Sequence, residues 1–203
     1  MIRFPPFLLI AALAAGAAPG CVVYPGTAKP TTYEELRREE GWTLLEKVPF
    51  AAQRTEQDCG AASVSMVLAH WGVDAPVEGL ERECAVAGED GLRASALRDA
   101  VRRRSLSAFL FAGRVADLEK ELQRGRPVVV GLVKSLGPLS TSHFEVVVGL
   151  NPKGGRIAAL DPGRGLVCDA IPAFAEEWAA SKGVTLVVFR PESKPPSRVA
   201  KGP

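Results

Sequence analysis

Past Pro127 the chain changes period, and that change limits the folds open to it. Before it, apolar residues recur at helical spacing. After it, they come in short Val-rich runs broken by Gly and Pro. Cys59 to Trp71 is the clearest helix, with Ala, Val, Met and Leu at helical spacing and Gly72 as its stop. Val77 to Ala85, Ala94 to Arg103 and Val115 to Arg124 read as further amphipathic helices, and Tyr33 to Glu40 as a short charged one after the Thr31/Thr32 caps. Leu44 to Phe50 reads as extended. Pro127 to Val133 and His143 to Leu150 read as buried strands. Asn151-Pro152-Lys153-Gly154-Gly155 is turn chemistry and leads into a third strand, Arg156 to Leu160, so these last two strands are expected to form a hairpin. The turn Asp161 to Gly165 is followed by a strand from Leu166 to Ile171, a helix from Phe174 to Ser181 and a closing strand from Val184 to Phe189. Helices first and an antiparallel sheet after them is an α+β arrangement.

The ends are expected to lie outside this fold. Arg3, the apolar Phe7 to Ala18 run and the small residues after it read as an export signal over residues 1–20, too short to span a bilayer, which takes about 20 apolar residues. Ala18-Pro19-Gly20-Cys21 resembles a bacterial lipoprotein box, which implies lipid attachment at Cys21. A plain secretory signal cut near Ala17 is the alternative. Residues 21–40 then form a lipid-anchored tether, rich in Pro, Gly and Thr at its start. The Pro-rich polar tail, 191–203, is expected to be disordered, which leaves residues 41–190 as one domain. Val22 after Cys21 fits the outer-membrane sorting rule that comes with the lipoprotein resemblance, so the expected place is the periplasmic face of the outer membrane in a Gram-negative cell. A net charge of +2 over 203 residues, with no dominant basic stripe, argues against nucleic acid as a partner.

Chemistry is confined by scarcity. The chain has two histidines, His70 and His143, and four cysteines. With Cys21 taken as the anchor, Cys59, Cys84 and Cys168 remain. Cys59 opens the strongest helix, where the positive end of the helix dipole favours a thiolate; the adjacent Asp58 opposes it. His143 opens the second strand and Asp161 closes the third. Hairpin pairing of those strands sets a carboxylate beside an imidazole, the arrangement that orients a catalytic histidine. His70 lies eleven residues along the helix from Cys59, about 16 Å away, beyond proton transfer, and reads as structural. Cys84 and Cys168 are candidates for a disulfide in an oxidising compartment. No CxxC or HxxxH spacing points to a metal. Trp42, Trp71 and Trp178 read as core, and Arg102-Arg103-Arg104 as a solvated helix end.

Four pieces in order carry a resemblance: Gln53 six residues before the cysteine; Asp58-Cys59-Gly60-Ala61-Ala62 with Met66; Ser142-His143-Phe144-Glu145-Val146-Val147; and Asp161-Pro162-Gly163 with Gly165. From Lys47 to Arg190 the chain resembles the papain-like cysteine peptidases that process double-glycine leader peptides of bacteriocins, and their stand-alone relatives. The resemblance implies a papain-like fold, with Cys59 as nucleophile, His143 as general base and acid, Asp161 as its orienting partner and the Gln53 amide as an oxyanion donor. Gln57, two residues from Cys59, would have to fold back sharply to take that last role. Leader-processing members usually belong to a transporter. This chain shows no membrane-spanning run after the signal and no phosphate-binding Gly-rich loop, so neither a nucleotide nor any other cofactor is expected. The expected activity is an exported, lipid-anchored cysteine peptidase acting on a peptide or protein. A peptide-binding lipoprotein of weak activity, or an acyl or peptidyl transferase on the same scaffold, are the alternatives.

Overall fold

The Val-rich runs after Pro127 form the centre of one antiparallel sheet. The structure, a computed structural model, describes residues 26–87 and 91–191. The expected signal at 1–20, Cys21 and residues 192–203 of the tail lie outside the described residues. In chain order the elements are β1 (Lys29–Pro30), α1 (Tyr33–Arg37), β2 (Thr43–Leu44), α2 (Cys59–His70), α3 (Val77–Cys84), α4 (Ala94–Arg103), β3 (Ser107–Ala112), α5 (Val115–Gln123), β4 (Val128–Leu136), β5 (Leu139–Asn151), β6 (Arg156–Asp161), β7 (Gly165–Ala170), α6 (Ile171–Ala180) and β8 (Val184–Phe189). The strands lie in the order β1-β7-β6-β5-β4-β8-β3, with β2 paired to β5 beside a bulge between Val147 and Gly149.

Both faces of the central strands are covered, which is why they read as unbroken apolar runs. Val129 of β4 and Val146 and Val148 of β5 face one core with α2, α3 and α4. Val128, Val130 and Leu132 of β4 and Val147 of β5 face a second core with α5 and α6, closed by Phe174 and Trp178. The fold class is α+β as expected, with helices packed on the antiparallel sheet.

The structure departs from the sequence expectations in four places. The chain from Lys134 to Thr141 reads as a mobile loop because Gly137 and Pro138 break the strand pattern. It is instead a tight hairpin: β4 and β5 pair out to Leu136↔Leu139. Gly137, at φ +59°, supplies the left-handed conformation such a turn requires. The described part of the expected tether, residues 26–40, is packed. β1 pairs with β7, Thr32 caps α1 in a reciprocal capping box with Glu35, and Leu36 is buried. The sequence reading has no strand at β3, an edge strand whose Phe109 and Phe111 face solvent. Cys84 and Cys168 form no disulfide. Each is a free, buried thiol in a different core cluster, and burial pushes both thiols up in pKa. Among the described residues, no helix is long and apolar enough to cross a membrane.

Candidate active site

Cys59 is the first residue of α2, a helix buried along most of its length, and is itself only 5% exposed. Gly60 explains how the helix start sits so low. A Cβ there would come within 2.9 Å of Leu97 on α4 and 3.1 Å of the Phe144 ring. Without one, the helix terminus settles against Phe144, the neighbour of His143.

Asp58, the residue that caps α2, makes no side-chain cap. Its carboxylate turns back onto the preceding loop and accepts the backbone N–H of Arg54 at 3.0 Å and of Thr55 at 3.2 Å. The Arg54 guanidinium lies 3.4 Å from it and also reaches Glu78 and Glu81 of α3, at 3.1 and 2.7 Å. The negative charge beside the thiol is therefore spent on Arg54 and on fixing the loop that carries Gln53. The other end of that loop is pinned by the Gln53 N–H, which donates to the Pro162 carbonyl at 3.0 Å. The Gln53 side chain lies against Gly163, and its Oε1 is buried with no hydrogen-bond partner. Gln57 is exposed and lies on a groove beside Cys59.

The hairpin register puts the imidazole and the carboxylate together. β5 and β6 pair as expected, with Val146 opposite Leu160, and His143 Nε2 lies 2.9 Å from Asp161 Oδ1. Cys59 acts on the same ring and favours its protonated form. Burial alone would push the His143 pKa down. The hydrogen bonds to Asp161 and Cys59, and the charges of both, overcome it and push the pKa up to about 10. Burial acts on Asp161 in the unfavourable direction too. The imidazole, the Gly163 N–H at 2.9 Å and the charge of Lys134 overcome it and hold the carboxyl below its ordinary value.

Two residues beside this site were not picked out from the sequence. Glu145, two residues beyond His143 on β5, is fully buried, and its carboxylate lies 2.6 Å from the ammonium of Lys134 on β4, also buried. Atoms of His143, Glu145 and Asp161 gather within 4.8 Å of one another, and Lys134 is the protein's own cation beside them. The signal was there to read: each charge interrupts an apolar stretch on a strand buried on both faces.

Two cavities of about 370 and 430 Å³ flank the site and share Gly91, Leu92, Ser142 and Phe144, so that a groove runs past His143 and Cys59. His70 is remote, its Nε2 at 3.0 Å from the Gly125 carbonyl and its ring edge-on to Trp71. Trp178 is buried as expected, whereas Trp42 and Trp71 are half-buried. The arginine run is held at the surface, with Arg103 and Arg104 paired to Glu83.

Residues 47–193 match the peptidase C39 family. The chain belongs to that family. The match covers Gln53, Cys59, Lys134, His143, Glu145 and Asp161. The chain is similar to the lactococcin-G-processing and transport ATP-binding protein LagD of Lactococcus lactis subsp. lactis, 28% identical over 127 residues, which are 62% of this chain and 17% of that protein. The chain thus corresponds to a small part of that relative. Among solved structures it resembles a double glycine motif protease from an AMS/PCAT transporter in complex with its leader peptide (28% identity, TM-score 0.57, covering 71% of this chain and 93% of that one). It also shares the fold of the peptidase domain of Streptococcus ComA (18% identity, TM-score 0.59, 71% and 99% covered). A C39-like peptidase from Bacillus anthracis has the same fold (17% identity, TM-score 0.58, 75% and 99% covered).

Proposed function

We propose that this C39 peptidase hydrolyses peptide bonds through Cys59, His143, Asp161 and Gln53, with no cofactor. The observation that carries the reading is one imidazole placed between a buried thiol and a buried carboxylate, 2.9 Å from the latter. The Cys59 thiolate attacks the carbonyl carbon and forms a C–S bond. The oxyanion is met by the Cys59 N–H at the start of α2 and by the Gln53 amide. As the C–N bond breaks, His143 gives its proton to the leaving amine. It then takes a proton from water as the water attacks the thioester, releasing a carboxylate and restoring the thiolate. Asp161 keeps the ring oriented and its positive form stabilised.

The thiol is 5% exposed, so the chain that reaches it needs slender residues at the cleavage point. The leader peptide of the similar double glycine motif protease meets that requirement, and we assign the same substrate class here. Export by the 1–20 signal and acylation of Cys21 place the enzyme on a membrane, the outer membrane in a Gram-negative cell.

The test is incubation of the full chain with a Gly-Gly leader peptide, with products read by mass. Cys59→Ala is expected to abolish cleavage while the variant remains folded by circular dichroism, and His143→Ala to be nearly as severe because His70 is remote. Cleavage surviving in Cys59→Ala overturns the reading.

A further inference from the structure

Beyond the imidazole, the buried charges continue. On one face of the sheet lie His143 and Glu145 of β5, Asp161 of β6, next to the Leu160 that pairs with Val146, and Lys134 of β4. Lys134 Nζ is 2.6 Å from Glu145 Oε1 and 3.6 Å from Glu177 Oε2 on α6. The lysine is 1% exposed and the Glu145 side chain 2%. Such a cluster is not a stabilising device by default, because an apolar pair of similar volume would serve a strand core as well or better.

We propose that Glu145 is a positioning residue for the C39 chemistry, a second carboxylate beside the His143 imidazole and paired with Lys134. This rests on the function proposed above. Asp161 takes the ring nitrogen directly. Glu145 makes no ring contact but brings its charge within 4.8 Å of both the imidazole and the Asp161 oxygen. Alone it would be a poor neighbour: buried, and facing a like charge across the strands, a carboxyl takes up a proton. Burial does push the Glu145 carboxyl up, and the charges of Lys134 and His143 work against that push. The lysine's own burial would push its pKa down, but the close ion pair with Glu145 and the charges of Glu177 and Asp161 push it up, so it stays cationic. Cys59 of α2 also acts on the imidazole, and the Arg164 guanidinium is 3.9 Å from Asp161 Oδ2. In this arrangement the positive ring is held by one carboxylate through a bond and by another through space.

The experiment follows alkylation of Cys59 by iodoacetamide in the full chain, site by site by mass, as a function of pH. It needs no peptide substrate. The high-pH inflection of that profile marks loss of the imidazolium proton. Glu145→Gln keeps the shape and removes the charge, and the inflection should move down by about one pH unit, the scale of a close charge interaction. Lys134→Met/Glu145→Gln removes both charges and so leaves no unpaired ammonium if the single variant folds poorly. It should move the inflection the same way, since the nearer charge dominates. An inflection unmoved in both variants, even with a lowered melting temperature, overturns the proposal and leaves the pair a structural one. A wild-type Cys59 no faster than a free thiol at neutral pH overturns the thiolate–imidazolium reading itself, and this inference with it.

Discussion

Asp161 is the residue where geometry and electrostatics make the sharpest demand. Its carboxylate is held by His143, by the Gly163 N–H and beside Arg164, while making no bond to substrate. Asp161→Asn keeps the shape and removes the charge. The expected loss is about 10- to 10⁴-fold, the upper end being the loss that follows removal of the triad aspartate's charge in a serine protease, and it should fall on kcat with KM little changed. Stability carries the same information. His143 rises from an ordinary 6.5 to about 10 on folding, so the folded state holds a proton that the unfolded chain releases between those values. The stabilisation is complete below pH 6.5 and is lost as pH rises through about 10. Urea unfolding at pH 6 and pH 9 should show a larger fall in the wild type than in Asp161→Asn, whose ring lacks the ionic partner. An equal fall in both would mean that Asp161 only starts the turn before Pro162.

At the scale of elements, the loop from Gln53 to Asp58 joins the two halves of the site. Asp58 fixes its Arg54–Thr55 stretch and Pro162 fixes Gln53, so loop and β6–β7 turn move as one. Asp58→Ala leaves two backbone N–H groups without their acceptor, at a cost of about 1–3 kcal/mol each if they stay buried. The looser Gln53 should lower kcat by about 100-fold, the scale of a roughly 1 Å misplacement. Asp58→Asn, which keeps an acceptor oxygen, should recover part of the rate. Equal rates in all three proteins would remove the loop from the mechanism. Much of this was legible beforehand. α4 and β8 lie where period and turn residues put them, and the β5–β6 hairpin follows from its Asn-Pro-Lys-Gly-Gly turn. What escaped was decided by tertiary partners. β3 exposes two of its three largest apolar side chains and exists because β8 offers it an edge. Gly137 and Pro138 break a strand in isolation but close a two-residue turn once β4 and β5 pair. Lys134 in such a turn region reads as solvated, and only the structure reveals Glu145 across the strands from it.

For the whole molecule, the packing of residues 26–40 changes what the proposed anchor means. Thr27 donates its N–H to Glu177 at 2.8 Å and its hydroxyl to Asp169 at 2.5 Å, and the Gly26 N–H reaches the Ser135 carbonyl at the β4–β5 hairpin. The chain is therefore fastened to the peptidase fold five residues after Cys21. At full extension those steps reach no more than about 18 Å. A protein acylated at Cys21 carries its fold close against the bilayer, with the hairpin side, which lines the groove through Ser140 to Ser142, near the point of attachment. Cys21→Ser should release the protein from membranes on fractionation, and blocking lipoprotein processing in the wild type should prevent maturation of the same band. Peptide cleavage in detergent should be unchanged in Cys21→Ser, because the proposed chemistry uses Cys59, His143, Asp161 and Gln53 and gives Cys21 no part in it. A further variant separates tether length from attachment: a flexible twenty-residue insertion between Cys21 and Gly26 should leave the protein in the membrane fraction and cleavage in detergent intact. It should also raise the rate at which an added soluble protease cuts the folded domain free. Recovery of both the wild type and Cys21→Ser in the soluble fraction would show that the first twenty residues are a plain secretory signal, and the fold would then work free of any bilayer.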